Sequence, residues 1–528
     1  MVSQLISQLI FIGASAASVL PRASTVQWGK CDDGLQATLP AQCANISVPL
    51  DYKSANASAT YTLPLLRLPV AANTTSRGSI IINFGGPGEP GIPTLAASAQ
   101  AIRSSLSPDY DLISFNPRGT NKDELFFSCY PDEDRARIFN PDPLAETWYD
   151  ESDVAPGMIW AESKLRAEQC FKTRGDVGGL VGTAFVVRDI VKISEAVGDE
   201  LINYFGISYG TVLGATLVSM FPNKVGKVVL DSVANPHEYI HDMYELGSRA
   251  RTDATFDALL SQCVAQGPTE CPLARHASTA AELQEKIYAM IDAARANPIA
   301  LPLEHARYNT TIVRGTVVDY STLKTMAFLS LFDAPKQTRM LAGLDGVLRG
   351  DWAAYAAWRD VLDDAFASML DSEVCLGIMC GDSTPRSDDP ELVLEGIRAA
   401  SRISRIAGGA GPSNGLGLRS SMCAQWRVAA KERYLGDYKA VTKNPVLIVN
   451  NRYDPVTPLE SARNVSAGLA GSRVVEVNNI RHGAVGAASK CLQDIIADFY
   501  GSGIMPEVTL CELDEPLLQT DGTLGGLQ

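Results

Sequence analysis

Histidine is scarce in this chain: His237, His241, His276, His305 and His482 are the five among 528 residues. The expectation is for no metal centre, and nothing in the pattern calls for a cofactor. Basic residues are a minority too. With 45 Lys and Arg against 60 Asp and Glu, the formal net charge is -15, which argues against a nucleic-acid partner because nothing neutralises phosphates. The same charge favours solubility and suits cationic substrates. Long apolar runs are missing, so stable membrane insertion is not expected. No internal repeat and no low-complexity tract occurs. What remains, at 46% hydrophobic and 20% charged residues, is an ordinary globular composition, large enough for one enzyme core carrying an insertion.

The N-terminus has a short apolar core, Leu5 to Ile12, followed by the small residues Ala14-Ser15-Ala16. It is too short and too interrupted by Ser and Gln to span a bilayer, and it reads as a signal peptide over 1–16 although no Lys or Arg precedes it. Sequons at Asn45, Asn56, Asn73, Asn309 and Asn464 agree with export. So do the eleven cysteines, none of which has zinc-finger spacing. Cys31/Cys43, Cys263/Cys271 and Cys491/Cys511 are close enough in sequence for local disulfides, and the odd count leaves one thiol free. The expected location is outside the cell or in the secretory lumen.

Strand signals come early and late. Ile46 to Tyr52 and Tyr61 to Val70 read as an antiparallel start to a sheet. Gly78 to Phe84, Tyr110 to Phe115 and Val225 to Leu230 are continuous apolar runs of the kind buried in parallel sheets. A run from Val197 into Phe205 adds another, preceded by a helix from Asp189. Between 237 and 438 strand runs disappear and amphipathic helices take over, with Leu283, Ile287, Met290 and Ile291 on one face. Strands resume at Pro445 to Asn450 and Val474 to Val477, and a helix follows from Ser489 to Tyr500. The expected organisation is a signal peptide (1–16), a first core part (17–236), a helical cap (237–438) and a C-terminal core part (439–528).

The chemistry centres on Gly206-Ile207-Ser208-Tyr209-Gly210, between a strand and a helix. Such a turn strains its serine, leaves Oγ exposed above the sheet, and needs glycines where a Cβ would collide with neighbours. A serine nucleophile requires a base and an orienting acid, in chain order Ser, acid, His. Only His482 lies beyond the last core strands. Asp454 ends the strand before it and is the expected acid, with Asp231, which also ends a strand, as the alternative. The Gly85-Gly86-Pro87-Gly88-Glu89-Pro90-Gly91 loop lacks the Gly-Lys-Ser/Thr of a phosphate-binding loop. Its glycines instead bare backbone N–H groups, so Gly86 and Tyr209 are the expected oxyanion donors, each worth about 3–4 kcal/mol.

Together these pieces resemble the tripeptidyl aminopeptidase-like branch of serine α/β-hydrolases, relatives of the proline iminopeptidases. The likeness runs through Trp28 with Cys31, Val48 to Tyr52, Gly85 to Gly88, Phe115 to Gly119, Leu230 to Val233 and Asp454 to Pro458. In the insertion it includes Phe332 to Pro335, Ile378 to Asp382, and Cys423 near Trp426. The resemblance implies an α/β-hydrolase fold with a large inserted helical cap, and a triad of Ser208, Asp454 and His482.

Three functions remain in play. An exopeptidase releasing short N-terminal peptides or residues needs a carboxylate for the substrate ammonium, and Glu238, Asp242 and Glu245 are the candidates. A carboxylesterase, lactonase or thioesterase acting on a small molecule would use the same triad. A binding module built on an inactive hydrolase is disfavoured by the complete set Ser208, Asp454 and His482. In either catalytic reading the partner is a small peptide or ester substrate.

Overall fold

The computed structural model describes residues 24–55, 58–130, 147–301, 316–368, 372–408 and 416–515. The expected signal peptide, Asn56 and Asn309 lie outside the described residues. Nine strands form one sheet: β1 (Gln42–Pro49), β2 (Thr60–Leu68), β3 (Ser79–Asn83), β4 (Asp111–Phe115), β5 (Ile202–Ser208), β6 (Val225–Val233), β9 (Val446–Tyr453), β10 (Arg473–Ile480) and β11 (Leu510–Cys511). Two more, β7 (Ile299–Leu301) and β8 (Thr316–Val318), pair antiparallel on their own. The order in the large sheet is β1-β2-β4-β3-β5-β6-β9-β10-β11. β2 runs against both β1 and β4, and from β4 to β11 every pairing is parallel. This is the α/β-hydrolase arrangement.

The continuous apolar runs follow from burial on both faces. Ile81, Tyr204, Val228, Leu230 and Ile448 point to one side, where they meet Val186 and Ile190 of the helix Thr183–Val197, and Val212 and Leu217 of the helix Tyr209–Met220. Their alternates, Ile80, Ile82, Phe205, Val229 and Leu447, point to the other, against Leu95 and against Leu492, Ile496 and Phe499 of the helix Lys490–Ser502. A strand buried on both faces has no polar alternation to show. One expectation needs adjustment. The run from Val197 is not all strand: Val197 ends a helix, Gly198 closes it at φ 91, and β5 starts at Ile202.

Between β6 and β9 the chain is mainly helical and has an apolar core of its own, including Phe256, Leu260, Ile287, Met326, Leu344 and Trp358. Leu283, Ile287 and Ile291 are buried on one face of the helix Ala280–Ala293, with Met290 half-buried beside them. Helix starts are capped by side chains: Thr279 accepts from Glu282 N–H, Asp319 from Thr322 N–H and Asp333 from Lys336 N–H. That explains Phe332 to Pro335 physically, since Asp333 caps the helix and Pro335 sits in a first turn that needs no donor. The β7–β8 pair was not expected, because three residues per strand are too few to reveal a period of two. The insertion is also joined by an earlier segment: Trp148 donates from its indole to Thr325 Oγ1 at 2.8 Å.

Five disulfides brace the molecule. The three expected pairs, Cys31–Cys43, Cys263–Cys271 and Cys491–Cys511, are present, with Cys129–Cys170 and Cys380–Cys423 in addition. The free thiol is Cys375.

The turn after β4 carries Arg118, whose side chain is fully buried. It donates Nε to Asp189 Oδ2 at 2.6 Å and Nη2 to Asp189 Oδ1 at 2.8 Å. Further bonds reach Leu50 O at 2.7 Å and Pro49 O at 2.6 Å, and Tyr52 donates to Asp189 Oδ1 at 2.7 Å. One guanidinium thus ties the end of β1, the end of β4 and the helix Thr183–Val197. Replacing Asp189 by Ala strands that charge in the interior and should cost about 3–5 kcal/mol in denaturant unfolding. The double variant Arg118→Met, Asp189→Leu should cost less than the single one.

Candidate active site

β3 and β5 are neighbours, with Asn83 opposite Gly206, so the glycine loop after β3 and the turn after β5 emerge side by side. They do so where strand order reverses, the usual position of a ligand crevice in open α/β sheets. Ser208 has φ 58 and ψ -126, a left-handed backbone that a non-glycine residue adopts only under constraint. The surroundings supply it. A Cβ at Gly206 would lie 2.3 Å from Gly210 O, one at Gly210 would lie 2.5 Å from Asn83 O, and one at Gly85 would lie 2.7 Å from Ile207 O. Tyr204 donates its hydroxyl to Gly210 O at 2.7 Å, and Thr211 Oγ1 donates to Ser208 O at 2.6 Å. The helix Tyr209–Met220 then runs inward, so its N-terminal N–H groups face the serine.

His482 follows β10. Its Nδ1 lies 3.0 Å from Asp454 Oδ2 and 3.1 Å from Oδ1, with Thr457 Oγ1 also at 3.1 Å. Asp454 is fully buried and accepts further bonds from Thr457 N–H at 2.8 Å and Val456 N–H at 3.0 Å. With Nδ1–H directed at Asp454, Nε2 keeps the lone pair a base requires. Burial disfavours the Asp454 charge, but His482 and the two backbone donors outweigh it and hold the carboxyl below its usual range. Burial likewise disfavours the imidazolium, yet Asp454 and Asp231 overcome it and raise His482 above the ordinary imidazole range.

The remaining support is polar and buried. Asp231, the alternative acid, accepts from Ala484 N–H and Val485 N–H, both at 2.8 Å, while Ser232 Oγ accepts from Gly483 N–H at 2.9 Å. It therefore holds the loop after His482, and Asp454 makes the hydrogen bonds to the imidazole. A Cβ on Gly483 would sit 3.0 Å from Ile207 Cδ1, so the histidine loop rests against the residue before Ser208. The insertion also reaches this loop: Phe332 O accepts His482 N–H at 2.9 Å, and the two rings meet edge-on at 5.5 Å.

Tyr209 reaches the insertion through its hydroxyl, 2.6 Å from Thr183 Oγ1, which in turn donates to Asp382 Oδ2 at 2.6 Å. Asp382 also accepts from Thr183 N–H at 3.0 Å, and burial pushes its carboxyl up to about 6. Gly86, in the loop beside the elbow, has φ 97. Cys375 lies against Gly88, but burial pushes its thiol up to about 12, so it carries no thiolate at neutral pH.

The three acidic candidates have local partners. Glu245 is ion-paired with Arg419, Asp242 Oδ1 accepts from Tyr244 N–H at 2.9 Å, and Glu238 is packed against Gly247 and held by Asn235 at 3.3 Å. A fourth carboxyl is absent from that set. Glu89 stands in the glycine loop, bonded by Thr94 Oγ1 at 2.6 Å and raised by burial. An acidic residue inside a glycine-rich loop was the signal that could have found it.

Residues 413–511 match the family model described as TAP-like protein. The tripeptidyl aminopeptidase of Streptomyces lividans is 25% identical over 507 residues, covering 93% of this chain and 87% of the relative. Over most of its length this chain is similar to the TAP-like hydrolases. The serine protease Hip1 of Mycobacterium tuberculosis is 25% identical over 508 residues, 94% of this chain and 92% of its own length. Carboxylesterase B of the same organism is 27% identical over 510 residues, 94% and 91% of the two chains.

The geometry fixes an expectation for titration. The imidazole of His482 should titrate above the ordinary imidazole range, and Asp454→Asn should move it to lower pH by removing the charge that raises it. NMR titration is practical with only five histidines to assign. A pKa unchanged in Asp454→Asn would contradict the coupling.

Proposed function

We propose that the protein is a serine hydrolase working through an acyl-enzyme, with Ser208 as nucleophile, His482 as general base and Asp454 orienting the imidazole. One observation carries this: a serine in a left-handed elbow lies beside a loop whose histidine is hydrogen-bonded to a buried aspartate. Ser208 Oγ attacks the carbonyl carbon and passes its proton to His482 Nε2. The charge that develops on the carbonyl oxygen meets the N–H groups of Gly86 and Tyr209. His482 then protonates the leaving amine or alkoxide, and water repeats the sequence on the acyl-enzyme.

We propose further that the substrate is a peptide cleaved near its N-terminus, with the insertion 237–438 acting as a cap over the site. The names of two relatives, a tripeptidyl aminopeptidase and a serine protease, support this reading. The substrate ammonium would be met by a carboxylate. Glu89 suits that role better than Glu245, which already has Arg419. The second reading, a carboxylesterase, draws on the third relative and on the chemistry itself, since an acyl-enzyme forms from esters as readily as from amides. Export through an N-terminal signal agrees with five disulfides and with exposed sequon residues Asn45, Asn73 and Asn464.

Ser208→Ala should abolish turnover of peptides and esters while leaving the unfolding temperature near that of the parent. Asp454→Asn should lose less activity than His482→Ala, because residual hydrolysis survives loss of the orienting acid. Full activity in purified Ser208→Ala protein would overturn the mechanism.

A panel of peptidyl anilides, free and N-acetylated, beside aryl esters, separates the two substrate readings. Acetylation removes the ammonium charge, so acetylated peptides should be cleaved at least about tenfold more slowly. Equal rates, or turnover of esters alone, would favour the esterase.

A further inference from the structure

Arg249 breaks the usual rule for a buried charge. It ends the short turn Leu246–Arg249 in the insertion, and only 8% of it is exposed. A buried guanidinium is normally matched by a carboxylate or by several carbonyls. Two other buried arginines have such partners: Arg118 has Asp189 and two carbonyls, and Arg419 has Glu245 and Tyr239 O. Among the described residues Arg249 has no such partner. Its Nε is sealed from solvent without an acceptor, and its guanidinium instead lies over the Phe328 ring, 5.1 Å from the centroid. Burial lowers its pKa to about 10, which still leaves it charged at neutral pH.

Its position ties it to the reacting groups. The Phe328 ring meets the Phe332 ring at 5.9 Å, and Phe332 meets His482 at 5.5 Å. From the other side Thr252, three residues beyond Arg249, donates its hydroxyl to Pro455 O at 2.6 Å, and Pro455 directly follows Asp454. Arg249 is therefore carried on a stretch anchored to the Asp454 loop, and it is one pair of aromatic rings away from His482.

We infer that Arg249 recognises a carboxylate of the substrate, so that substrates with a carboxylate close to the scissile bond are preferred over neutral counterparts. The inference rests on the hydrolase reading of Ser208, Asp454 and His482. A planar guanidinium stacked on an aromatic ring offers paired N–H donors in the geometry a carboxylate matches. A partner arriving with the substrate also relieves an unpaired buried charge, which sharpens discrimination against uncharged analogues. The carboxylate has two sources, an acidic side chain or a free C-terminus, and the chemistry of recognition is the same for both.

The test compares kcat/KM for short peptides that differ only as Glu against Gln beside the scissile bond, and as free acid against amide at the C-terminus. The parent protein should favour one charged series by about 10-fold or more, and the series that responds identifies the source. Arg249→Met should reduce that ratio towards one, with Arg249→Lys intermediate because a point charge replaces the fork. The unfolding temperature of Arg249→Met should not fall, since no partner is left unpaired. Equal rates on every charged and neutral pair in the parent would overturn the inference, as would a ratio that persists in Arg249→Met. If Arg249→Met does not fold, the parent ratio and Arg249→Lys still decide. Ser208→Ala keeps the two levels apart. If it is inactive while the parent shows no charge preference, only the carboxylate reading falls, whereas an active Ser208→Ala removes the hydrolase reading beneath it.

Discussion

The left-handed backbone at Ser208 is the constraint on which the rest of the site depends. A serine does not hold φ 58 by preference, and such strain persists only where the surroundings over-determine it. Here they do so by contact. Gly206, Gly210 and Gly85 bring β5, the following helix and the loop after β3 so close that a methyl group at any of the three would overlap backbone. Packing on both faces of the sheet keeps these parts from separating, because Tyr204 and Phe205 are buried on opposite sides immediately before the turn. The placement of the serine is thus a product of the core.

The histidine depends on a different device. His482 sits in a loop, and loops hold their shape through hydrogen bonds more than through packing. Asp231 and Ser232 at the end of β6 secure the backbone of Gly483, Ala484 and Val485. Asn450 in β9 links Val233 N–H to Thr457 O, and Asn451 reaches Arg481 O at 3.0 Å. Each of these polar groups is buried and would be costly if unpaired, so the network favours one loop conformation. Asp231 and Asp454 are then two carboxylates with separate duties, one holding backbone and the other holding an imidazole.

Much of this was legible in the sequence, for identifiable reasons. The elbow has a steric requirement that only glycine meets, and parallel strands buried on both faces write themselves as apolar runs. Cys31 with Cys43, Cys263 with Cys271 and Cys491 with Cys511 are near neighbours in the chain and could be paired by spacing. Cys129–Cys170 and Cys380–Cys423, separated by 41 and 43 residues, could not. The acid could be narrowed only to Asp454 or Asp231, since both end strands and sequence says nothing about which one faces the imidazole. Charge and position alone make Glu238, Asp242 and Glu245 candidates. What sequence could not reveal was that Arg419, far along the chain, comes back to neutralise Glu245.

The same limit explains why the substrate was the hardest thing to read. Elements of the insertion touch each part of the candidate site. Val374 and Cys375 press on Gly88, Asp382 reaches Tyr209 through Thr183, Phe332 bonds His482, and Thr252 bonds the residue after Asp454. On the proposed reading, the helices that would cap a substrate also brace the candidate reacting groups, and their residues answer to two demands at once. Arg118 and Arg249 show how the demands can be told apart. Both are arginines removed from water, and on burial alone they are alike. Arg118 is saturated by its own chain, so its role ends with the fold. Among the described residues Arg249 is left with an aromatic face and no acceptor for its Nε, and stability by itself gives no reason to bury a charge that way. A free energy cost that folding leaves uncompensated points to something outside the fold that compensates it.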